Sequence, residues 1–574
     1  MIVELKDLDP HARHDVCIIG TGPLGLAAAL SCAAKGLSVL VLESGLEAPS
    51  AFHVGLGRAA AAPACHTPLE EANCRALGGT SHWWGGRCLP FDPIDFAAWP
   101  ISVDDVMPWY SEAAAFLRCG SATFSLEAPW TALDGLRADQ VERWCPNPNM
   151  ASVHAEAIRN APRLTLVLGA TVTDLHLSTD RRTVVGFTVR TPEKILDLPC
   201  RYLVCACGGV QTPRLLLTLQ RKHPSLFGGE ASPLGRFYMG HIFGKIAEVV
   251  FRDPDKARQF DFILDQGCFV RRRFTLPDET QRRAGLLNVS FALGNPRLAD
   301  PAHCSGPLSM IWLALASPLG KRLLPEALRR LYVGEGRPYG AHLRNVIRSL
   351  GPTVLAGFRI YRDKYLRQPG KPAVFLQNAG GRYALHYHSE QSSCANNRLT
   401  LAEEVDDLGM PRVRINFRYD RGDAEQVVRA HVALDQALRE NGIGHLDFPA
   451  PPKALVASVL EQARDGMHQI GATRMSDDPR DGVVDRNCRV HDLDNLYIAS
   501  TSVFSSSGNA NPTFLGVSLS LRLADHLAGN ISRVANHYDG SPPRRSRRRP
   551  RAQNAARQSG ESAHPRLSRY TTLR

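Results

Sequence analysis

The sequence predicts a mixed α/β fold, with a Rossmann-like domain and a second, mixed or antiparallel-sheet domain inserted into it. Two observations predict the first domain: residues 15–36 read as strand, glycine turn and helix, and residues 202–212 contain another strand that runs into glycines. A third predicts the inserted domain, because residues 241–449 contain short mixed apolar and polar runs without a glycine fingerprint. The 574 residues suffice for several domain-equivalents and exclude a small binding module.

The first strand and helix enclose the sequence GTGPLG at residues 20–25. Gly20 allows a tight turn, Gly22 lets the backbone approach a pyrophosphate, and Gly25 lets the helix pack closely on the strand. A second apolar strand ends in Glu43, 23 residues after Gly20, which is the separation that brings an acid to a ribose. The pattern predicts dinucleotide binding, but it does not distinguish FAD from NAD.

The net charge of +12 comes largely from the C-terminal end. Residues 541–574 hold ten Arg and one Glu, so the other 540 residues carry only +3. A body so nearly balanced gives no reason to infer a nucleic-acid groove. We expect this end to be a disordered, solvated tail, with an anchor for an anionic partner as the alternative.

The fourteen cysteines show no CxxC or Cys/His ligand spacing, so we expect buried free thiols and no metal site. Residues 16–42 are apolar enough to suggest a signal peptide or a membrane span, but early glycines and preceding acidic residues argue against both. The apolar run at 308–319 is too short to cross a bilayer.

Later segments carry further motifs. Residues 77–87 form a glycine-rich loop with two adjacent tryptophans, suited to contacts with phosphate and ribityl groups or simply to two core tryptophans. Residues 164–190 read as paired strands around a turn at 179–182, and residues 202–209 form a strand that ends in small residues and is followed by a helix from about Thr212. The block from His468 to Thr513 contains HQIGATRM, GVVD, NLYIA and GNANPT in that order.

Together with GTGPLG, GGTSHWWGG at 78–86, CACGGVQTPRLLL at 205–217 and LGRFYMGH at 234–241, this block resembles the glucose-methanol-choline (GMC) oxidoreductase family. The resemblance extends from about residue 15 to 527. Within the family the chain is most similar to bacterial sugar dehydrogenases and pyranose oxidases, whose active site has one His and one Asn.

The resemblance implies a domain order in which the FAD-binding domain is discontinuous. Its parts are 10–100, 161–240 and 461–535, the last of which holds the active site. Connecting helices occupy 101–160, the substrate domain occupies 241–460 with a helical insertion at about 307–369, and the Arg-rich tail occupies 538–574.

By the same resemblance, His468 is the general base and Asn511 fixes the substrate hydroxyl. This agrees with the chemistry, because oxidising a carbinol requires a base near neutral pKa and a polar orienting group while hydride leaves for flavin N5. The alternatives are a satisfied core histidine and an asparagine that caps a helix. The expected cofactor-binding residues are Gly20, Gly22, Pro23, Leu24, Gly25, Glu43, Ser44, Gly79, Thr80, Trp84, Gly85, Gly86, Val172, Cys207, Gly208, Ser500, Asn511, Pro512 and Thr513.

Pro512 is placed to open a helix, whose positive end would favour negative charge at the flavin. The chain departs from its family at two positions. Several relatives have a flavin-linked histidine where this chain has Trp83, with His82 one residue early, so we expect non-covalent FAD. Ser500 stands where the family commonly has Asp, which puts one cofactor hydrogen bond in doubt.

The resemblance thus implies an FAD-dependent dehydrogenase or oxidase that converts a CH–OH group of a sugar, glycoside or polyol-like alcohol to a carbonyl. Oxygen, a quinone or a redox protein would accept the electrons. The alternatives are an FAD-containing lyase of the same fold and a catalytically inactive flavoprotein. We expect a cytoplasmic location, with peripheral attachment at the inner face of the membrane as the alternative. The Arg-rich insertion is predicted to be an amphipathic surface helix pair, with a membrane-surface or electron-carrier contact as the alternative.

Overall fold

The computed structural model describes residues 1–318, 320, 333, 334, 336, 338–378 and 380–538. The chain divides into two units, Met1–Gly529 and Asn530–Arg574. The Arg-rich tail predicted from residue 538 onward lies, apart from Tyr538, outside the described residues.

The described strands, β1 to β20 in chain order, are Ile2–Val3, Val16–Ile19, Val39–Leu42, Arg87–Cys88, Val141–Trp144, Leu164–Val167, Thr171–Leu177, Val184–Arg190, Ile195–Pro199, Tyr202–Cys205, His241–Phe251, Ile263–Asp265, Cys268–Arg272, Phe274–Thr275, Val289–Gly294, Arg382–Glu390, Arg398–Val405, Pro411–Asn416, Gly444–Asp447 and Leu496–Ile498.

The described α-helices, α1 to α14, are Pro23–Ala34, Ala51–Gly55, Leu69–Ala72, Tyr110–Phe116, Met150–Val153, Ala155–Asn160, Gly208–Lys222, Asp278–Ala284, Gly306–Ala316, Tyr339–Arg348, Leu350–Tyr361, Arg421–Glu440, Leu455–Gln462 and Thr513–Tyr538. A π-helical turn, Arg362–Leu366, follows α11.

A six-stranded parallel sheet in the order β1-β6-β3-β2-β10-β20 forms the base of the predicted Rossmann-like domain. Its central strands β2 and β3 are continuous apolar runs whose residues are all buried, as expected for a parallel sheet covered on both faces. The strands come from residues 2–3, 16–42, 164–205 and 496–498, so the domain is discontinuous. The predicted fold class is confirmed.

A five-stranded antiparallel sheet in the order β14-β15-β16-β11-β19 forms the second domain. Tyr383, Leu385 and Tyr387 of β16 alternate toward a core that they share with α12 and α13. The intervening residues of β16 therefore project from the opposite face of the sheet, because side chains alternate along a strand. His388 is one of them.

The sequence placed some boundaries inaccurately. Residues 164–190 were expected to form paired strands; β7 and β8 pair antiparallel around the predicted turn, but β6 belongs to the parallel sheet. The helix expected from about Thr212 begins at Gly208. Strand β1, at the sheet edge, was not predicted because two residues carry no periodicity.

The predicted insertion contains helices α9, α10 and α11. A cavity of about 910 Å³ lies between α11, the 254–261 segment and residues 371–378, and none of the predicted site residues lines it. No described helix combines the length and the apolar composition needed to cross a bilayer.

Candidate active site

The predicted cofactor residues gather where the strands of the parallel sheet end. Gly20 follows β2, Glu43 follows β3, Cys207 follows β10 and Ser500 lies two residues beyond β20. Because carboxyl ends of parallel strands meet at one edge of a sheet, these segments converge although they are far apart in sequence. The thiol of Cys207 lies 3.3 Å from the carbonyl oxygen of Ile19, which joins two of the strand ends.

The glycines of this turn differ in the space around them. A Cβ on Gly25 would lie 2.1 Å from the carbonyl oxygen of Gly20, whose φ is +105°, so both glycines are required by the turn itself. A Cβ on Gly22 would meet no atom within 4 Å. Gly22 thus borders open space at the start of α1.

The amino end of α1 lacks a side-chain cap. Gly22 is its N-cap residue and Pro23 occupies its first turn, so the free N–H groups and the positive helix end face the space beside Gly22. Gly208, with φ +82°, and Gly85 border open space as well. Free donors at a helix start with no side chains in front of them fit a pyrophosphate.

Glu43 is buried and holds the turn to the next strand. Its Oε2 accepts hydrogen bonds from the backbone N–H and the hydroxyl of Thr21 at 2.9 and 2.6 Å, and its Oε1 accepts from Gly45 N–H at 2.8 Å. A carboxylate has about four acceptor sites, so acceptor capacity remains for a ribose hydroxyl. Neighbouring Ser44 bonds through its hydroxyl to Thr171, the residue before Val172.

The glycine-rich loop packs directly on this turn. A Cβ on Gly79 would lie 2.8 Å from the Cα of Gly22. The hydroxyl of Thr80 accepts from Cys74 N–H at 3.2 Å. The indole of Trp84 donates to Pro148 O at 2.6 Å and Gly86 O accepts from Cys145 N–H, so this end of the loop lies against the 145–148 segment.

Three further predicted residues, Asn511, Pro512 and Thr513, lie at the start of α14. This helix packs closely beside α1, as shown by Gly516, where an added Cβ would lie 2.8 Å from the side chain of Leu24. Asn511 and Pro512 directly precede its first residue, Thr513. Ser500 is buried, and its hydroxyl accepts from Ser502 N–H. The glycine turn, the free helix end and the buried acid Glu43 together fit FAD, which would be held by these strand ends.

A buried carboxylate organises the second half of the site. Oδ1 of Asp465 accepts from the backbone N–H groups of Gly466, Met467 and His468 at 2.7 to 3.2 Å. Its Oδ2 accepts from the N–H of His241 at 2.8 Å and lies 3.1 Å from Nδ1 of His468. Burial alone would raise the pKa of Asp465, but His468 and these donors hold it below its usual range.

His468 therefore donates through Nδ1 and keeps a lone pair on Nε2. Nδ2 of Asn511 donates to that Nε2 at 3.0 Å. The orientation of the amide follows from Arg87, whose Nε donates to Oδ1 of Asn511 at 2.5 Å and thereby turns the NH₂ group toward the imidazole. The structure thus brings together the two residues that the sequence proposed as catalytic.

Two further histidines surround His468. The ring centroids of His241 and His388 lie 4.6 and 5.7 Å from that of His468. His241 donates through Nε2 to Ser507 O, and His388 donates through Nδ1 to Asn509 O. The other nitrogen of each ring is buried without a hydrogen-bond partner among the described residues, although Nδ1 of His241 lies 3.9 Å from Oδ2 of Asp465. Burial, and next the charge of His468, lower the pKa of His241 to about 3; burial, followed by His241, lowers the pKa of His388.

One nitrogen from each of these three rings lies within 4.8 Å of one nitrogen from each of the others, which is close enough for the three to bind one metal ion. A metal on His468 would occupy the lone pair that a base needs. The cluster therefore suits recognition of a hydroxyl by neutral imidazoles, and we assign no metal to it.

Sequence reasoning missed Asp465, Arg87, His241 and His388 as site residues. His241 ends the LGRFYMGH motif, and Asp465 lies three residues before the predicted base, so both had a signal in their motifs. His388 had none, because only the pairing of β16 with β11 brings it beside His241.

Two family models match this chain. The model described as FAD binding domain covers residues 15–228, and the model described as GMC oxidoreductase covers residues 393–520. The chain thus combines an FAD binding domain with a GMC oxidoreductase domain, in agreement with the resemblance seen in its sequence. It is therefore an FAD-binding oxidoreductase, as the sequence predicted.

Relatives with assigned activities also match this chain. The chain is 29% identical to paromamine 6'-oxidase of Streptomyces fradiae over 91% of this chain and 92% of that protein. It is 32% identical to the fructose dehydrogenase large subunit of Gluconobacter japonicus, but that match covers only 24% of this chain and 23% of the relative. Pyridoxine 4-oxidase from Mesorbium loti shares the fold, with a TM-score of 0.52 and 17% identity over 89% of this chain and 98% of that one.

Replacement of Gly22 separates cofactor binding from folding. In Gly22→Ala the new methyl group enters open space, so we expect a folded protein that binds FAD at least tenfold more weakly, because the methyl group stands where the pyrophosphate approaches. Flavin fluorescence titration of the apoprotein and a melting curve measure both effects. Gly340→Ala, also open around its Cβ, is the matched control. Equal FAD affinity of Gly22→Ala and the parent would refute the assigned pyrophosphate position.

Proposed function

We propose that this chain oxidises a CH–OH group of a sugar, glycoside or polyol-like alcohol to a carbonyl, with His468 as the general base. The observation that carries the proposal is the fixed tautomer of His468. Its Nδ1 proton faces Asp465 and its Nε2 lone pair faces Asn511, which leaves a neutral imidazole ready to take a hydroxyl proton.

Each neighbour of His468 has a role in this proposal. When His468 takes the proton, the buried Asp465 carboxylate stabilises the positive imidazolium, because an opposite charge at 3.1 Å favours the charged form. Asn511 donates to the substrate oxygen and holds it at Nε2. Arg87 keeps the Asn511 amide in the donating orientation.

The cofactor supplies the other half of the reaction. FAD, when bound, accepts the hydride that leaves the carbinol carbon. Helix α14 begins two residues after Asn511, so its positive end lies beside the proposed catalytic pair and favours negative charge there.

The unpartnered nitrogens of His241 and His388 suit a substrate with several hydroxyls. A buried acceptor without a partner costs roughly 1 to 3 kcal/mol, which a hydroxyl donor offsets when it binds. The names of the relatives, a fructose dehydrogenase and a paromamine oxidase, favour a carbohydrate or glycoside. Oxygen, a quinone or a redox protein would then take up the electrons.

The first test mixes the holoprotein anaerobically with sugars, glycosides, aminocyclitols and simple alcohols. The proposal expects at least one compound to bleach the oxidised flavin absorbance, and it expects His468→Ala to slow bleaching by about 10² to 10⁴. FAD content and melting temperature of the variant serve as the control. Turnover with an unchanged spectrum would support the lyase alternative instead, and an equal rate in His468→Ala would support the inactive flavoprotein.

The second test replaces the carboxylate under His468. Both oxygens of Asp465 accept hydrogen bonds from N–H groups. In Asp465→Asn the amide NH₂ replaces one of these oxygens and, whichever one it replaces, it faces N–H donors with which it cannot form a hydrogen bond. We expect the rate of flavin reduction to fall about 10- to 100-fold, which corresponds to the roughly 1 to 3 kcal/mol of an unpaired buried group.

Asp485→Asn is the matched control, because Asp485 accepts two backbone N–H groups in a similar turn without contacting a histidine. The pH profile of flavin reduction should change shape in Asp465→Asn and stay unchanged in Asp485→Asn. An unchanged profile and rate in Asp465→Asn would remove this residue from the proposal.

The third test asks how FAD is attached. His82 is engaged at both ring nitrogens, within 2.8 Å of Leu77 O and 3.4 Å of Asn149, and the following residue is Trp83. We therefore propose dissociable FAD and expect acid precipitation to leave the flavin in the supernatant. A yellow pellet that survives denaturation would show a covalent bond and contradict this.

A further inference from the structure

Helices α10 and α11 of the insertion expose an unusual amount of apolar surface. Of the twenty large apolar side chains that are exposed in the described residues, nine lie between positions 339 and 366. Ile347, Val354 and Phe358 are 67%, 65% and 62% exposed. Scattered exposed apolar residues are ordinary, but a cluster of this kind marks an interaction surface.

The inner face of the same helices is polar. His342, Asn345 and Thr353 are buried, and they face α9. His342 stacks on Trp312 at 4.0 Å and bonds to Ser309, and Asn345 donates to Pro301 O and to the Ser309 hydroxyl. Helices α10 and α11 are therefore amphipathic, but they are oriented opposite to ordinary surface helices. Their hydrogen-bonding side chains face the protein, and their apolar side chains face outward.

The outward apolar residues follow the helical repeat. They occur at steps of four, four and three residues, and this pattern is repeated across both helices: Tyr339, Leu343, Ile347, Leu350, Val354, Phe358 and Tyr361. Both helices pack on α9 through their opposite faces, so both apolar faces point away from the protein. A stripe with this regularity requires a partner that is itself apolar.

Cations border the stripe. Arg344, Arg348, Arg359, Arg362 and Arg367 are all exposed. Among the described residues, no carboxylate lies within ion-pair distance of Arg344, Arg348 or Arg359. Residues 307–369 hold eleven Lys and Arg against three Asp and Glu, a formal charge of +8, so the rest of the chain up to residue 540 carries −5. The positive charge of the body is concentrated in this insertion.

We propose that the outer face of α10 and α11 docks peripherally on an anionic lipid surface. An apolar helix face flanked by Arg is the pattern of a helix that lies in a membrane interface, with side chains among the acyl chains and guanidinium groups at the headgroups. A second copy of the chain fits less well, because a two-fold interface would place the same Arg residues opposite each other.

The test sediments the full-length holoprotein with vesicles of phosphatidylcholine, with and without phosphatidylglycerol. We expect binding only to the anionic vesicles and at least a tenfold weaker partition for Ile347→Ser/Phe358→Ser. Val185→Ser/Ile195→Ser, at exposed apolar positions of β8 and β9, should bind like the parent. Arg344→Gln/Arg348→Gln should weaken binding at low salt, and Arg282→Gln/Arg283→Gln in α8 should not.

Insertion has its own readout. In Phe358→Trp the new indole should be quenched by lipids with brominated acyl chains, whereas Ile195→Trp should not respond. All variants in α10 and α11 should retain the flavin reduction rate of the parent in solution. Failure of the docking proposal can therefore be distinguished from failure of the proposed function.

Three results would overturn the proposal. The parent could remain in the supernatant with both vesicle types. The Ile347→Ser/Phe358→Ser variant could bind as tightly as the parent, which would assign binding to another basic segment such as residues 541–574. The parent could instead form a concentration-dependent dimer that this variant disperses, which would assign the face to a second copy.

Discussion

The carboxylate of Asp465 is the constraint on which the candidate site depends. It is buried, and it accepts hydrogen bonds from five N–H groups, which come from His241, His468 and the two residues before His468. An unsatisfied charge in this position would be costly, so the loop before His468 and the first residue of β11 have to meet at one point. Gly240 makes the meeting possible, because a Cβ there would lie 2.9 Å from Oδ2 of Asp465.

The same carboxylate distinguishes His468 from the other two imidazoles of the cluster. His241 and His388 are kept neutral by burial and by the charge of the neighbouring histidines. Only His468 combines contact with Asp465, partial exposure and a lone pair directed at the proposed substrate position. Under the proposed function, His468 would take the proton of one hydroxyl, and the two neutral imidazoles would accept hydrogen bonds from further hydroxyls.

The sequence predicted the parallel sheet and the glycine turn from local spacing, and its resemblance to a known family implied that His468 and Asn511 lie together. It could not predict Arg87 or His388 as neighbours of that pair. Arg87 reaches Asn511 across 424 residues, and His388 depends on the register of β16 against β11. Such contacts follow from tertiary packing, which a single sequence does not encode in its periodicity. The exposed stripe on α10 and α11 is the opposite case, because its residues are adjacent in sequence. Its period is visible in the sequence, but the periodicity of an amphipathic helix does not say which face is buried, and here the apolar face is the exposed one.

The orientation of Asn511 connects the site to the rest of the protein. Arg87 donates to Asn511 and pairs with Glu142, which is 3% exposed and also pairs with Arg271 of β13. Buried ion pairs contribute little net stability, but removing one partner leaves an uncompensated charge. The chain of contacts therefore serves mainly to specify geometry: it permits one position of the Arg87 guanidinium, and that position permits one orientation of the Asn511 amide. Because Glu142 and Arg271 belong to the antiparallel sheet of β4, β5, β12 and β13, the amide of Asn511 is oriented by a sheet that lies more than 200 residues earlier in the sequence.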